Sequence, residues 1–265
     1  MTDLLALLPP GPPLILREAE RTVLAEQALE GLMAAEAYRT PEVMHCTVPV
    51  ADLVTDEGER VDQILHGEVF DLLHRQGDRG WGRARRDGVV GWVALDRIKP
   101  GAPLATRRVV AVDAALPLNA LVIDGAEGVT EADLAPIGSF ENDLATVAER
   151  LIGIPHALGA RSSYETDCAG LVQQALLACG LPGPRRSAEQ AQLGVSVATA
   201  EAARGDLVIW LSDDSLWTGH SALMIDEARV IHATCHHGCV VIEPLAEVEA
   251  RLTAEGYARA LLRRV

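Results

Sequence analysis

Hydrophobic positions change their period along this chain, and each change predicts a different kind of element. Over residues 18–37, Val23, Leu24, Ala28, Leu29, Leu32 and Met33 recur at near-helical spacing, which predicts a helix packed on a neighbouring domain. Ahead of it, Pro9-Pro10-Gly11-Pro12-Pro13 demands an extended lead-in. From Cys46 to Ile98 the texture turns to short alternating runs, among them Val50-Ala51-Asp52-Leu53, Val69-Phe70-Asp71-Leu72-Leu73 and Val89-Val90-Gly91-Trp92-Val93. Asp87-Gly88 between two such runs is a strong hairpin signal. Residues 101–138 repeat the texture weakly, with Arg108-Val109-Val110-Ala111-Val112 and Leu121-Val122-Ile123 as candidate strands. There Gly128-Val129 through Leu134 echoes Gly91-Trp92-Val93 through Ile98, an internal repeat.

Beyond Ser139 the order reverses to helices first and strands later. Helices are predicted over 143–151 and 167–179, the second ended by Gly180 and Pro182. Strands follow at 206–211, 220–225, 229–234 and 239–242, then a helix over 244–255. Such an order predicts an α+β domain. The divisions are 1–45 (extended segment and helix), 46–100, 101–138 and 139–265.

Composition narrows the partners. A chain of 265 residues can bury a sizeable core, and a hydrophobic share of 49% excludes a disordered one. Lys and Arg number 23 against 38 Asp and Glu, a net charge of -15 that repels phosphate backbones and argues against nucleic acid. No apolar run approaches a membrane span, so no membrane partner is expected. The first residues lack a basic region and a long apolar core, so they do not read as a secretory signal. Five cysteines in so long a chain are not a disulfide framework, and a cytoplasmic location is expected. Oligomeric state is not legible.

Candidate chemistry centres on Asp167-Cys168-Ala169-Gly170-Leu171-Val172. Cys168 opens an apolar helical run, Asp167 is placed to cap it, and a helix N-terminus favours a thiolate. Gly170 allows close packing beneath the thiol. Taken alone, Cys168 reads sooner as a small buried hydrophobe, the common fate of free cysteines. His220 opens the strand Ala222-Leu223-Met224-Ile225, and His232 lies on the next strand, where it could orient His220. Each histidine alone reads as an ordinary core or surface residue.

Together these residues resemble the NlpC-type cysteine peptidases, papain-like hydrolases of bacterial cell-wall peptides. The family's Asp-Cys-Ser-Gly-Leu-Val-Gln is matched by Asp167-Cys168-Ala169-Gly170-Leu171-Val172-Gln173, its Gly-Asp-Leu by Gly205-Asp206-Leu207, and its Gly-His by Gly219-His220. Its third polar residue, in an Ile-His-Ala setting, is matched by Ile231-His232-Ala233. Residues 46–100 resemble a bacterial SH3-like barrel, and 101–138 a degenerate second unit, an arrangement the family also shows.

The resemblance implies a papain-like α+β domain behind small all-β SH3-like barrels. It implies Cys168 as nucleophile, His220 as general base, His232 as its orienting partner, and the Cys168 amide as an oxyanion donor. It implies cleavage of the γ-D-glutamyl–diamino acid bond in peptidoglycan-derived peptides bearing a free N-terminal L-Ala, with no cofactor. Asp167, Ala169 and Ser221 are then the expected substrate-binding residues, Asp167 either as amine ligand or as helix cap. The chain departs from the family where His156-Ala157-Leu158-Gly159-Ala160 replaces Tyr-x-Trp-Gly-Gly, and where Ala169 replaces serine. Two alternatives follow from the residues: a catalytically altered peptidase fold that binds wall peptides, and a zinc module built from His232, Cys235, His236, His237 and Cys239.

Overall fold

The computed structural model describes residues 12–18, 21–122, 128–213 and 219–265. The proline-rich lead-in before residue 12 and the stretch 123–127 of the weak repeat lie outside the described residues. At the start, β1 (Ile15–Glu18) pairs antiparallel with β2 (Arg21–Glu26), and β3 (Tyr38–Arg39) joins β2 in parallel. Residues 19–20 lie outside the described residues; among those described, β2 and one 3₁₀ turn, Gln27–Leu29, stand where the sequence predicts a helix over 18–37. Tertiary packing overrides the helical period there. Leu24 is buried with Leu14 and Leu73, and Val23 and Trp81 pack alongside, whereas Leu32 is 80% exposed. Gly31 has a φ of +80°, which a helix interior does not accept.

Seven strands follow: β4 (Glu42–Cys46), β5 (Val50–Val54), β6 (Arg60–Leu65), β7 (Val69–Gln76), β8 (Arg79–Ala84), β9 (Val90–Ala94) and β10 (Ile98–Pro100). They form one antiparallel sheet in the order β10-β4-β7-β8-β9-β5-β6. The predicted hairpin at Asp87-Gly88 joins β8 to β9, with Arg83 opposite Val90. Alternation turns Met44, Leu53, Ile64, Phe70 and Leu72 into a common interior. The Cys46 thiol on β4 donates to the Ile64 carbonyl on β6 at 3.4 Å, so the sheet curls on itself.

A third sheet holds β11 (Arg107–Val109), β12 (Leu121–Val122) and β13 (Leu134–Pro136) around Val109, Leu116, Ala120 and Val122. The internal echo is a local structural likeness. In both places a 3₁₀ turn, Leu95–Arg97 or Glu131–Asp133, leads straight into a short strand. Among the described residues this sheet stops at strands of two or three residues.

The last unit contains α1 (Leu144–Glu149), α2 (Cys168–Ala178), α3 (Ser187–Gln190), β14 (Val195–Val197), β15 (Leu207–Leu211), β16 (Gly219–Met224), β17 (Arg229–Thr234), β18 (Cys239–Pro244), α4 (Leu245–Ala254) and β19 (Leu261–Arg264). Its strands form an antiparallel sheet ordered β14-β19-β15-β16-β17-β18. Strand alternation gives the sheet two apolar faces. Leu207, Ile209, Leu223 and Ile231 pack against Leu171, Val172, Ala175 and Leu176 of α2. Val208, Trp210, Ala222 and Val230 pack against Val248 and Leu252 of α4.

A buried ionic network joins the curled sheet to this unit. Arg161, fully buried, donates from Nε to Asp62 Oδ1 at 3.1 Å and is paired with Glu68. Its backbone N–H donates to Gln63 Oε1 at 2.9 Å. Arg185 Nε reaches the same Asp62 oxygen at 2.8 Å. Gln173 of α2 donates to Asp87 at 2.8 Å. Two guanidiniums from one unit thus face buried carboxylates of the other, and burial, with the neighbouring Asp87 second, still pushes the Asp62 carboxyl up to about 8. Arg161→Ala would leave Asp62 and Glu68 without their shared cation, and a loss of about 3–5 kcal/mol is expected. Urea unfolding of the purified variant measures it, and a loss below about 1 kcal/mol would show the network to be dispensable.

Candidate active site

Helix α2 begins where the chemistry needs it to. Asp167 caps it, with Oδ1 accepting the Gly170 N–H at 2.7 Å and Oδ2 the Gly159 N–H at 2.9 Å. Arg185 binds both oxygens, at 3.0 and 2.6 Å. Of the two roles open to Asp167, the cap is therefore present. The carboxylate also borders the cleft, although it is only 2% exposed. Gly170 permits the close approach expected of it, because a Cβ there would lie 2.4 Å from the Ala160 carbonyl oxygen.

Cys168, the first residue past the cap, opens onto a cavity of about 180 Å³. Val61 of the curled sheet and Leu158 form part of its wall. Arg60 ties the wall together, donating from Nε to the Leu158 carbonyl at 2.9 Å. On the far side, β16 and β17 pair only at Leu223–Ile231 and Met224–Val230. Short of those pairs the strands separate, and two imidazoles fill the wedge. His220 Nε2 lies 2.7 Å from His232 Nδ1, with the rings edge to face at 5.0 Å between centroids. Trp210 backs the His220 ring at 5.8 Å. The Cys168 thiol points at the carbonyl of Gly219, 3.9 Å away, one residue before His220. Cys168 and His220 line the cleft, and His232 stands fully buried behind His220.

Sequence reasoning missed what lies behind His232. Its Nε2 is 2.7 Å from Glu243 Oε2. Glu243 in turn accepts from Arg251 of α4 at 3.0 and 2.8 Å, and His237 Nε2 lies 3.3 Å from its Oε1. In the β17–β18 register His232 faces Val241 and Val230 faces Glu243, so His232 and Glu243 are diagonal neighbours on one face. Only that register would have revealed the pair.

Other expected residues are placed differently. Ala169 is buried at the cleft wall, and its carbonyl accepts from Gln190 at 2.9 Å. Ser221 is fully buried and bonded to Ser187 Oγ at 2.9 Å, so the structure brings Ser187, not Ser221, to the cleft. The proposed zinc module does not assemble. His232 is committed to His220 and Glu243, and among the described residues no group of three or more His, Cys, Asp or Glu side chains is placed to hold a metal ion.

Electrostatics also depart from the expectation of a thiolate. Burial, with the nearby Asp167 charge second, pushes the Cys168 thiol up to about 12. Burial, then the neighbouring His232, drives His220 well below the usual imidazole range. Burial lowers His232 as well and outweighs the opposing bond to Glu243. Desolvation thus shifts the Cys168 thiol, His220 and His232 all toward their neutral forms. The carboxylate that caps the helix sits at the same terminus as the thiol and offsets the helix dipole there.

Comparison with known proteins shows what parts of the chain are similar to. Residues 153–254 match the NlpC/P60 family, and residues 54–98 match the bacterial dipeptidyl-peptidase SH3 domain. A γ-D-glutamyl-L-lysine dipeptidyl-peptidase of Bacillus cereus is 28% identical over 105 residues, covering 39% of this chain and 32% of that protein. The murein DD-endopeptidase/murein LD-carboxypeptidase of Escherichia coli is 31% identical over 91 residues, covering 34% of this chain and 47% of that protein. The matched segments thus span between about a third and a half of these relatives. An NlpC/P60 family protein from Bacillus cereus of known structure superposes with a TM-score of 0.71, at 17% identity, over 84% of this chain and 99% of that one, and so shares the fold.

A thiol held near 12 gains thiolate about tenfold per pH unit across the neutral range. Alkylation of Cys168 by iodoacetamide, followed by peptide mass mapping, is expected to accelerate steadily from pH 6 to pH 9. A plateau below pH 7 would instead reveal a preformed thiolate–imidazolium pair.

Proposed function

We propose, from the premise that the chain carries an NlpC/P60 domain behind a bacterial SH3 domain, that it is a cysteine peptidase of peptidoglycan-derived peptides. The observation that carries this reading is that Cys168 and His220 line one cleft, with His232 bonded to His220 from behind. His220 takes the thiol proton as Cys168 attacks the scissile carbonyl, and a thioester forms as the amine leaves with that proton. His220 then activates water to release the acid. His232 orients His220, and the Cys168 backbone N–H at the start of α2 faces the developing oxyanion. Because desolvation favours the neutral forms of thiol and imidazole, proton transfer accompanies attack rather than preceding it.

The substrate assigned is a short peptide with a free N-terminal L-Ala, cut at the γ-D-glutamyl–diamino acid bond. Support comes from the small cleft walled by Val61 and Leu158, and from the named activity of the Bacillus cereus relative. Asp167 is assigned to the substrate amine, with Arg185 already sharing its charge. The free cysteines suit a reducing compartment. A second reading, a wall-peptide binder without turnover, is favoured by Leu158 and Ala169 where the family carries tryptophan and serine.

Incubation of the full chain with L-Ala-γ-D-Glu-diaminopimelate and mass detection of the products separates the two. Release of L-Ala-γ-D-Glu is expected, with complete loss in Cys168→Ala at unchanged thermal stability. Residual turnover in Cys168→Ala would remove Cys168 as nucleophile, and binding without any cleavage by the unaltered chain would favour the second reading.

A further inference from the structure

We propose that Glu243 is a positioning residue that sets which nitrogen of His220 is free to take the thiol proton. The inference rests on the peptidase reading for its kinetic consequence, but its structural content stands on the hydrogen-bond chain alone. A carboxylate only accepts hydrogen bonds. His232 Nε2, 2.7 Å from Glu243 Oε2, must therefore carry a proton and donate it. A neutral imidazole has one N–H, so His232 Nδ1 is left as an acceptor. His220 Nε2, 2.7 Å away, must then be the donor, and His220 Nδ1 is the nitrogen with the free lone pair. One carboxylate thus dictates the tautomer of two rings in series.

Reversal of the chain shows what Glu243 prevents. With the proton on His232 Nδ1, His220 Nε2 becomes the acceptor and His220 Nδ1 carries the hydrogen. The base then has no lone pair to offer the thiol. Once Nδ1 does take the proton, the imidazolium formed keeps the same orientation, and the Glu243 charge lies one ring beyond it.

The surroundings keep Glu243 charged and aimed. Burial opposes its ionisation, but the bonds from Arg251, His232 and His237 outweigh burial and hold the carboxyl down at about 2. Around the pair, Arg251 faces in from α4, His237 from the β17–β18 hairpin and His156 from the segment before α2. Asp167 and Arg185 face the thiol from the other side. None of these replaces Glu243, because none is an acceptor-only group bonded to His232.

Histidine-selective nitrogen-15 NMR of the full chain, assigned with single His→Gln variants, tests the inference directly. The unaltered protein is expected to show both His220 and His232 protonated on Nε2 and bare on Nδ1 at pH 7. In Glu243→Gln, whose amide can donate as well as accept, the second tautomer is expected at both rings. With L-Ala-γ-D-Glu-diaminopimelate, kcat should fall roughly 10- to 100-fold with KM held within about twofold. A proton on His232 Nδ1 in the unaltered protein would overturn the inference, and so would unchanged tautomers and kcat in Glu243→Gln. If Glu243→Gln does not fold, the spectrum of the unaltered chain decides. Failure of the unaltered chain to cleave the peptide would overturn the peptidase reading, and the tautomer result would still decide for Glu243.

Discussion

The carboxylate–guanidinium network at the seam between the curled sheet and the last unit is the constraint on which the rest of the structure depends. Asp62, Glu68 and Asp87 come from one side, and Arg161 and Arg185 from the other. Burying such groups is costly unless each finds a partner in good geometry. The ion pairs of Arg161 and Arg185 tie the two units together in this placement, with Asp62 shared between them. Arg185 carries the constraint to the cleft, since the same guanidinium that binds Asp62 also clamps Asp167, the residue before Cys168. The wall formed by Val61 and the start of α2 are positioned by one connected set of bonds.

The cleft itself is a balance between order and charge. Capping by Asp167 fixes the helix start but places an anion beside the thiol, and burial adds to its effect. The opposing imidazoles are desolvated as well, so burial disfavours the charged form on both sides of the cleft. Anionic stabilisation has been placed one step back, at Glu243, where Arg251 and His237 share it. A negative charge there supports an imidazolium without raising the thiol directly.

Much of this was legible in residue order. The Asp87-Gly88 hairpin, the strands on either side of it, α2 with its cap and terminating Gly180, and the late meander all follow from local pattern and turn chemistry. The helix expected over 18–37 failed because its apolar residues answer to partners far along the chain, Leu73 and Trp81, which a local period cannot see. Ser221, expected to bind substrate, is turned by strand alternation to the face opposite His220, where Ser187 receives it. Glu243 escaped notice for the converse reason, since it joins His232 only through the pairing register of two strands.

By itself, the sequence determined the chemistry on offer: a thiol behind an acidic cap at a helix start, and two imidazoles on successive strands. Those depend on nearest neighbours and short spacings, which a linear chain displays. Tertiary structure alone decided how that chemistry is poised. Arg161 and Arg185 acquire this role only when the curled sheet supplies Asp62 and Glu68, and the upward push on the Cys168 thiol arises only when water is excluded around it. Ionisation and tautomer depend on the surrounding dielectric and on bonds between residues distant in sequence, and neither exists until the chain has closed around them.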